Sequence, residues 1–290
     1  MSLLGLVVSL TPAGTGPAEG DPPASGGQSA APGTSYYIAL GDSLAAGVQP
    51  DGTGRDRPTR KGYVDAVAAH LKKQVPALHT IKLGGTGTSS TAIVGPPVTS
   101  RYPGSSQLDQ ALRLIKKHRS HIALITVNIG DNDVETCIGP DGIDHGCVRR
   151  GLDAVASNLA TIGKALRSKA GKRVPIVGVS DYDQFWAYWL HGGTARSIAK
   201  SSVKVVRRLN KTIDSSWTSA NVLSADAAPA FHTFDTSPAQ LAGYGTVPRA
   251  VERICHLTWA CSGPPIGFDD HANSGGYRLI ARAVIAQLPH

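Results

Sequence analysis

The 290-residue chain has no apolar run approaching the roughly 18 to 20 residues that a bilayer-spanning helix needs. No membrane span is therefore expected. It has no CxxC pair, so its four cysteines lack the spacing of a zinc site or a thioredoxin-like redox motif. It has no basic stripe with interleaved aromatics, which argues against nucleic-acid binding. Its basic residues come instead as short pairs, Lys72-Lys73, Lys116-Lys117, Arg149-Arg150 and Arg207-Arg208, in stretches of helical periodicity. Such pairs read as solvated helix faces, although the net charge of +8 allows weak attraction to anionic surfaces. The glycine-rich segment Gly84-Gly85-Thr86-Gly87-Thr88-Ser89 lacks the Lys-Ser/Thr ending of a phosphate-binding P-loop. Asp131-Asn132-Asp133 lacks the acidic ladder and glycine of an EF-hand loop. No metal and no cofactor is expected.

What is present begins at the N-terminus. Residues 3–8 are apolar but too short to span a bilayer, and no Lys or Arg occurs before Arg55. The run fits the hydrophobic part of a secretory signal whose basic start is missing. Residues 11–34, rich in Pro, Gly, Ala, Ser and Thr, bury too little apolar surface to order themselves. Residues 1–34 are thus expected to be a signal-like, disordered leader and 35–290 a single domain, with apolar content of 41% ample for a core. Cys137, Cys147, Cys255 and Cys261 allow three pairings, of which the local one closes two short loops. Together with the leader they favour export to an oxidising compartment. Four buried thiols are the alternative.

Strand-like and helix-like runs alternate. Strands are expected at 36–40, 79–83, 121–127, 174–179 and 221–225. Helices are expected at 63–75, 107–118, 152–168, 195–217 and 274–288, where apolar residues recur every three or four positions. The alternation predicts an α/β three-layer sandwich on a parallel sheet. Ligands in such folds bind beyond the carboxyl ends of the strands.

Three segments fall there: Gly41-Asp42-Ser43-Leu44, the glycine-rich loop containing Gly87, and Gly130-Asp131-Asn132-Asp133. Acyl transfer requires a nucleophile, a base and donors for an oxyanion. Ser43 can attack. Its own N–H, the unhindered N–H of Gly87 and the side-chain amide of Asn132 can serve the oxyanion. His271, in Phe268-Asp269-Asp270-His271 just before the last helix, titrates near neutrality and can act as base. Each segment has a plainer reading as a turn, cap or loop residue. Asp42 is expected to support the turn rather than react.

The ordered set GDSL, Gly87, Gly130-x-Asn132-Asp133 and a C-terminal histidine resembles the SGNH (GDSL) hydrolase family, across residues 36–277. The flanking segments Ser180-Asp181-Tyr182-Asp183, Val247-Pro248-Arg249 and Ile254 to Cys261 resemble a secreted actinobacterial branch. The resemblance implies a flavodoxin-like, five-stranded parallel sheet. It also implies metal-free hydrolysis of carboxylic esters through an acyl-enzyme on Ser43, with His271 as base and Ser43, Gly87 and Asn132 as oxyanion hole. Expected partners are small-molecule or lipid esters, and the oligomeric state is open.

One position departs from the family pattern. The aspartate expected three residues before the histidine is Phe268, which cannot orient an imidazole. Asp269, a backbone carbonyl of the 259–268 loop, or Asp270 are the substitutes. Two further segments bear on the pocket. Tyr182, Phe185, Trp186, Tyr188 and Trp189 read either as an apolar acyl wall or as core packing, and 229–248 as a rim loop. An esterase or lipase leads. A carbohydrate O-deacetylase on the same fold and a non-catalytic secreted binding protein are the alternatives.

Overall fold

The computed structural model describes residues 33–95 and 105–289. The expected leader lies almost wholly outside the described residues. Ser35–Gly41 (β1), Leu78–Lys82 (β2), Ile122–Asn128 (β3), Ile176–Val179 (β4) and Leu223–Ala225 (β5) form one sheet. Their order is β2-β1-β3-β4-β5 and every neighbouring pair is parallel. This is the flavodoxin-like order, in which the chain reverses direction beside β1 and leaves a crevice at the carboxyl ends of β1 and β3.

Alternation within the central strands supplies both faces of the sheet. On β1, Tyr37 and Ala39 join one core, and Ile38 and Leu40 join the other; all four are fully buried. The first core is covered by Tyr63–Leu71 (α2), Arg249–Leu257 (α7) and Ser274–Ile285 (α8). The second is covered by Gln107–Lys117 (α4), His145–Ala170 (α5) and Gly193–Ser219 (α6). Each buried Ile or Leu contributes about 1.5–3 kcal/mol through area removed from water. Two short helices, Ser43–Ala46 (α1) and Ser90–Val94 (α3), follow β1 and β2 at the crevice end.

Several boundaries shift by a few residues, and three regions differ from the periodicity more substantially. Helix α5 starts at His145, because Asp144 caps it by accepting from the N–H groups of Gly146 and Cys147 at 2.8 and 2.9 Å. That first turn lacks an apolar stripe and is tied instead by the Cys137–Cys147 disulfide. Helix α7 was not expected. Pro248 stands immediately before it, and Val251, Ile254 and Leu257, three apart, carry its buried face. The expected rim loop contains a hairpin, Pro238–Leu241 paired with Gly245–Pro248. The second disulfide joins Cys255 to Cys261, so no thiol is free among the described residues.

Candidate active site

The nucleophile candidate stands on a backbone with little freedom. Strand β1 ends at Gly41, where φ is +140° and an added Cβ would lie 2.1 Å from the Asn128 carbonyl oxygen. No other residue type fits there. The Gln107 amide bonds both backbone groups of this residue: its Oε1 accepts from Gly41 N at 2.6 Å and its Nε2 donates to Gly41 O at 3.0 Å. Asp42 then caps α1, accepting from Leu44 N at 2.9 Å. Its carboxyl thus supports the turn, as expected, and also borders the cavity described below. Ser43 is the first residue of α1 and is 9% exposed.

The two other crevice loops are fastened to each other. Gly87 sits exposed in the loop after β2, and Asn132 in a 3₁₀ turn, Asp131–Asp133, after β3. Asp133 accepts from Ser90 N at 2.8 Å and from Ser90 Oγ at 2.7 Å. Asn158 of α5 donates to the same Ser90 oxygen at 2.9 Å. These contacts hold the two loops in register.

His271, 8% exposed, precedes α8. Its backbone oxygen accepts from Trp259 N at 3.0 Å, and Ala272 bridges to Thr258 at the end of α7. Of the three substitutes for the missing aspartate, Asp269 reaches the ring. Its Oδ1 lies 2.9 Å from His271 Nδ1 and also accepts from His271 N at 2.9 Å. Carboxylates of Asp270 and of Asp56 lie farther from Nδ1, at 3.6 Å each. The backbone carbonyl of Asp270 accepts from Tyr182 Oη at 2.8 Å.

Ser43, Gly87, Asn132 and His271 line one cavity of about 190 Å³. Asp42, Asp131, Glu135, Asp181 and Asp270 line it too, beside Tyr182 and Gln184. This density of carboxyls was not anticipated. Burial raises Asp42 and Asp131 well above the ordinary carboxylate range, and repulsion from Asp181 adds to both. Glu135 is pushed up to about 8 by burial and by the charge and hydrogen bond of Asp270. Asp181 is raised to about 6, against a lowering hydrogen bond from Asn128. For His271, burial opposes the charged ring. The hydrogen bond to Asp269 and the charges of Asp270, Asp269 and Asp56 outweigh it and carry the imidazole to about 9. Asp269 feels burial upward, but its hydrogen bonds to His271 and Asp56 leave it below the usual range.

Asp56, Asp269 and His271 offer ligand atoms within 4.8 Å of one another. In the present arrangement those atoms are engaged with each other. The aromatic segment serves mainly the core. Phe185 and Trp186 are buried, Trp186 Nε1 donates to Thr233 O at 2.8 Å, and Tyr182 stacks on Phe231 at 4.2 Å between centroids. Among the five aromatics only Tyr182 lines the cavity, so of the two readings of this segment core packing is the one that fits. Gln107, Glu135 and Asp56 escaped the sequence reading. Nothing in their local sequence marks them, since each acts on residues remote in the chain.

Among solved structures, an extracellular lipase from Streptomyces rimosus superposes with a TM-score of 0.56 at 16% identity, covering 88% of this chain and all of that one. A phospholipase A1 from Streptomyces albidoflavus superposes with a TM-score of 0.53 at 18% identity, again over 88% and 100% of the two chains. At such identities the likeness is one of fold. No curated protein matches this chain in sequence. The Gly-Asp-Ser-Leu turn, the loops of Gly87 and Asn132 and the histidine all fall within residues 39–279, which match the GDSL-like lipase/acylhydrolase family, and the chain belongs to that family.

Proposed function

We propose that this protein is a serine hydrolase that cleaves small carboxylic esters through an acyl-enzyme on Ser43. The observation that carries the reading is the single cavity lined by Ser43, Gly87, Asn132 and His271. With Nδ1 engaged by Asp269, His271 Nε2 is the ring nitrogen left to take the serine proton. Ser43 Oγ bonds to the substrate carbonyl carbon as that proton leaves. The carbonyl π electrons move to oxygen, where the N–H groups of Ser43 and Gly87 and the Asn132 amide stabilise the charge. Collapse of the tetrahedral species returns the proton from His271 to the departing alcohol. Water then repeats the sequence and releases the acid.

The cavity volume, about 190 Å³, is below the roughly 300–1,000 Å³ usual for small-molecule pockets. This favours short acyl groups. Among p-nitrophenyl esters from acetate to laurate, kcat/KM is expected to be greatest at acetate or butyrate and to fall with length. A profile rising to laurate would count against the short-acyl assignment. Lack of Ser43 labelling by a fluorophosphonate probe would count against the enzyme and leave a binding role.

A second reading, carbohydrate O-deacetylation, is favoured by one feature. Asp131, Glu135, Gln184 and Asp270 surround the cavity with acceptors suited to sugar hydroxyls. Acetate release from acetylated sugars, faster than from p-nitrophenyl acetate, would select it. The paired disulfides support an extracellular location for either activity.

A further inference from the structure

The positive charge of this chain is not spread evenly. Arg196, Lys200, Lys204, Arg207, Arg208 and Lys211 all stand on α6, and all are exposed. Asp214 is the one acidic residue of that helix, so α6 alone carries most of the chain's net charge of +8. At about 3.6 residues per turn the six cations fall within a sector of about 120° and extend over about 22 Å of helix. The opposite sector holds Ile198, Val205, Leu209, Ile213 and Trp217, which are buried in the second core. Core packing therefore turns the cationic face outward. Among the described residues none of the six pairs with a carboxylate.

Arg196–Lys200, Lys200–Lys204, Lys204–Arg208 and Arg207–Lys211 are like-charge pairs four residues apart, each of which works against the helix. An anionic partner removes that repulsion. The stripe also meets aromatic rings supplied from outside the helix. Arg196 and Lys200 lie 4.8 and 5.1 Å from the ring centre of Trp189, and Arg207 lies 3.8 Å from that of Phe234. Trp189 and Tyr188 are half-buried, near the end of the 3₁₀ segment Gln184–His191, against which α6 packs. Tyr188 in turn meets the exposed ring of Phe268 at 5.4 Å, on the loop that carries His271. The same 3₁₀ segment places Gln184 in the cavity wall. Cations, amphipathic rings and the cavity wall thus follow one another along connected elements.

We propose that the exposed face of α6 docks this protein on an anionic lipid bilayer. Such a surface supplies phosphate groups for the cations and, just beneath them, the interfacial zone in which Trp and Tyr rings settle. A soluble polyanion offers the first and not the second. Each Lys or Arg held close to an anionic membrane strengthens binding about fivefold, so three of the six supply about 100-fold. Docking requires no chemistry at Ser43, so this role stands or falls independently of the hydrolase reading.

The test is sedimentation of the full chain with vesicles of phosphatidylcholine alone and of phosphatidylcholine mixed with phosphatidylglycerol. Partition into the mixed vesicles is expected to exceed that into the pure ones by at least about 100-fold, and to vanish near 1 M salt, where the Debye length is about 3 Å. Lys204→Gln, Arg208→Gln and Lys211→Gln combined remove exposed side chains without carboxylate partners. That variant should melt like wild type and lose about 100-fold in partition. Lys61→Gln, Lys72→Gln and Lys73→Gln combined remove the same charge at the ends of α2, over the other face of the sheet, and should lose less than about fivefold. Equal losses in the two triple variants would reduce the effect to net charge and overturn the proposal. So would equal partition into pure and mixed vesicles. Trp189→Ala is expected to weaken vesicle binding and to leave binding to heparin, a soluble polyanion, unchanged. Wild-type vesicle binding by Trp189→Ala, with heparin and vesicles lost alike in the α6 triple variant, would assign the stripe to soluble polyanions and overturn the lipid assignment.

Discussion

The two halves of the site are built from different materials. On the nucleophile side, position is set by backbone and sterics: a glycine that admits no Cβ, an amide side chain bonded to that glycine's N–H and carbonyl, and a four-residue helix beginning at Ser43. On the base side, position is set by contacts between polar side chains around one ring nitrogen. Carboxyl oxygens of Asp56, Asp269 and Asp270 lie 3.6, 2.9 and 3.6 Å from His271 Nδ1. The first half should tolerate pH and fail with the smallest steric change. The second should tolerate volume changes and respond to pH.

The largest expected effect is at the nucleophile. Ser43→Ala should reduce ester hydrolysis to background while leaving the melting temperature near that of wild type, since only a hydroxyl is removed. Retained turnover by the purified variant would end the acyl-enzyme reading. Next is the base side. Asp269→Asn should lower kcat by up to about 10⁴-fold, because the wrong tautomer of the ring is then stabilised. A kcat near wild type in that variant would show that another acceptor orients the ring.

Gly41→Ala tests the steric claim. A Cβ 2.1 Å from a backbone oxygen, at a positive φ, should destabilise the fold by at least about 3 kcal/mol in urea unfolding. A loss under 1 kcal/mol would mean that the β1–β3 junction yields more readily than its packing implies.

The mildest test concerns protons. Folding raises Glu135 to about 8 and His271 to about 9, and also raises Asp42, Asp131, Asp181 and Asp56. At these groups the folded state binds more protons than the unfolded chain, so their contribution to stability falls as pH rises, against a smaller opposite one from His118, whose imidazole burial lowers. The acids contribute a loss that begins near the ordinary carboxylate range and continues to about 8. The histidine contributes stability that is complete below about 6.5 and lost by about 9. The melting temperature should decline from pH 5 to pH 9, and Glu135→Gln should flatten the decline. The same imidazole must be neutral to act as base, so kcat/KM should rise toward pH 9. An unchanged slope in Glu135→Gln would remove that residue from the proton inventory.

The same division decides what could be read in advance. The strands and most helices were legible because alternation and 3.6-residue spacing are local records of which face is buried; Ile38 and Leu40 against Tyr37 and Ala39 show this on β1. Ser43, Gly87, Asn132 and His271 could be picked out because their segments follow strands or precede a helix. The partners on the base side were not all legible. Asp269 was one of three candidates until the ring nitrogen could be seen facing it. Asp56 sits in a short polar ribbon whose approach to His271 depends on tertiary packing alone. The aromatic run at 182–189 left two readings open for a related reason: density of aromatics is the same whether the rings face a ligand or one another, and here Tyr182 and Phe231 stack.

The bridge between Thr258 and Ala272 has a consequence for how this enzyme could diversify. Residues 259–271 leave and return to one point, so the segment between is a closed excursion beside the cavity, with Phe268 46% exposed on it. Lengthening such an excursion costs little, about 0.6 kcal/mol for each doubling. New side chains could be inserted around Gly263 and Pro264 to greet a different alcohol, while the imidazole at the root of the excursion keeps its place. Selectivity and chemistry would then be adjustable by separate sets of mutations.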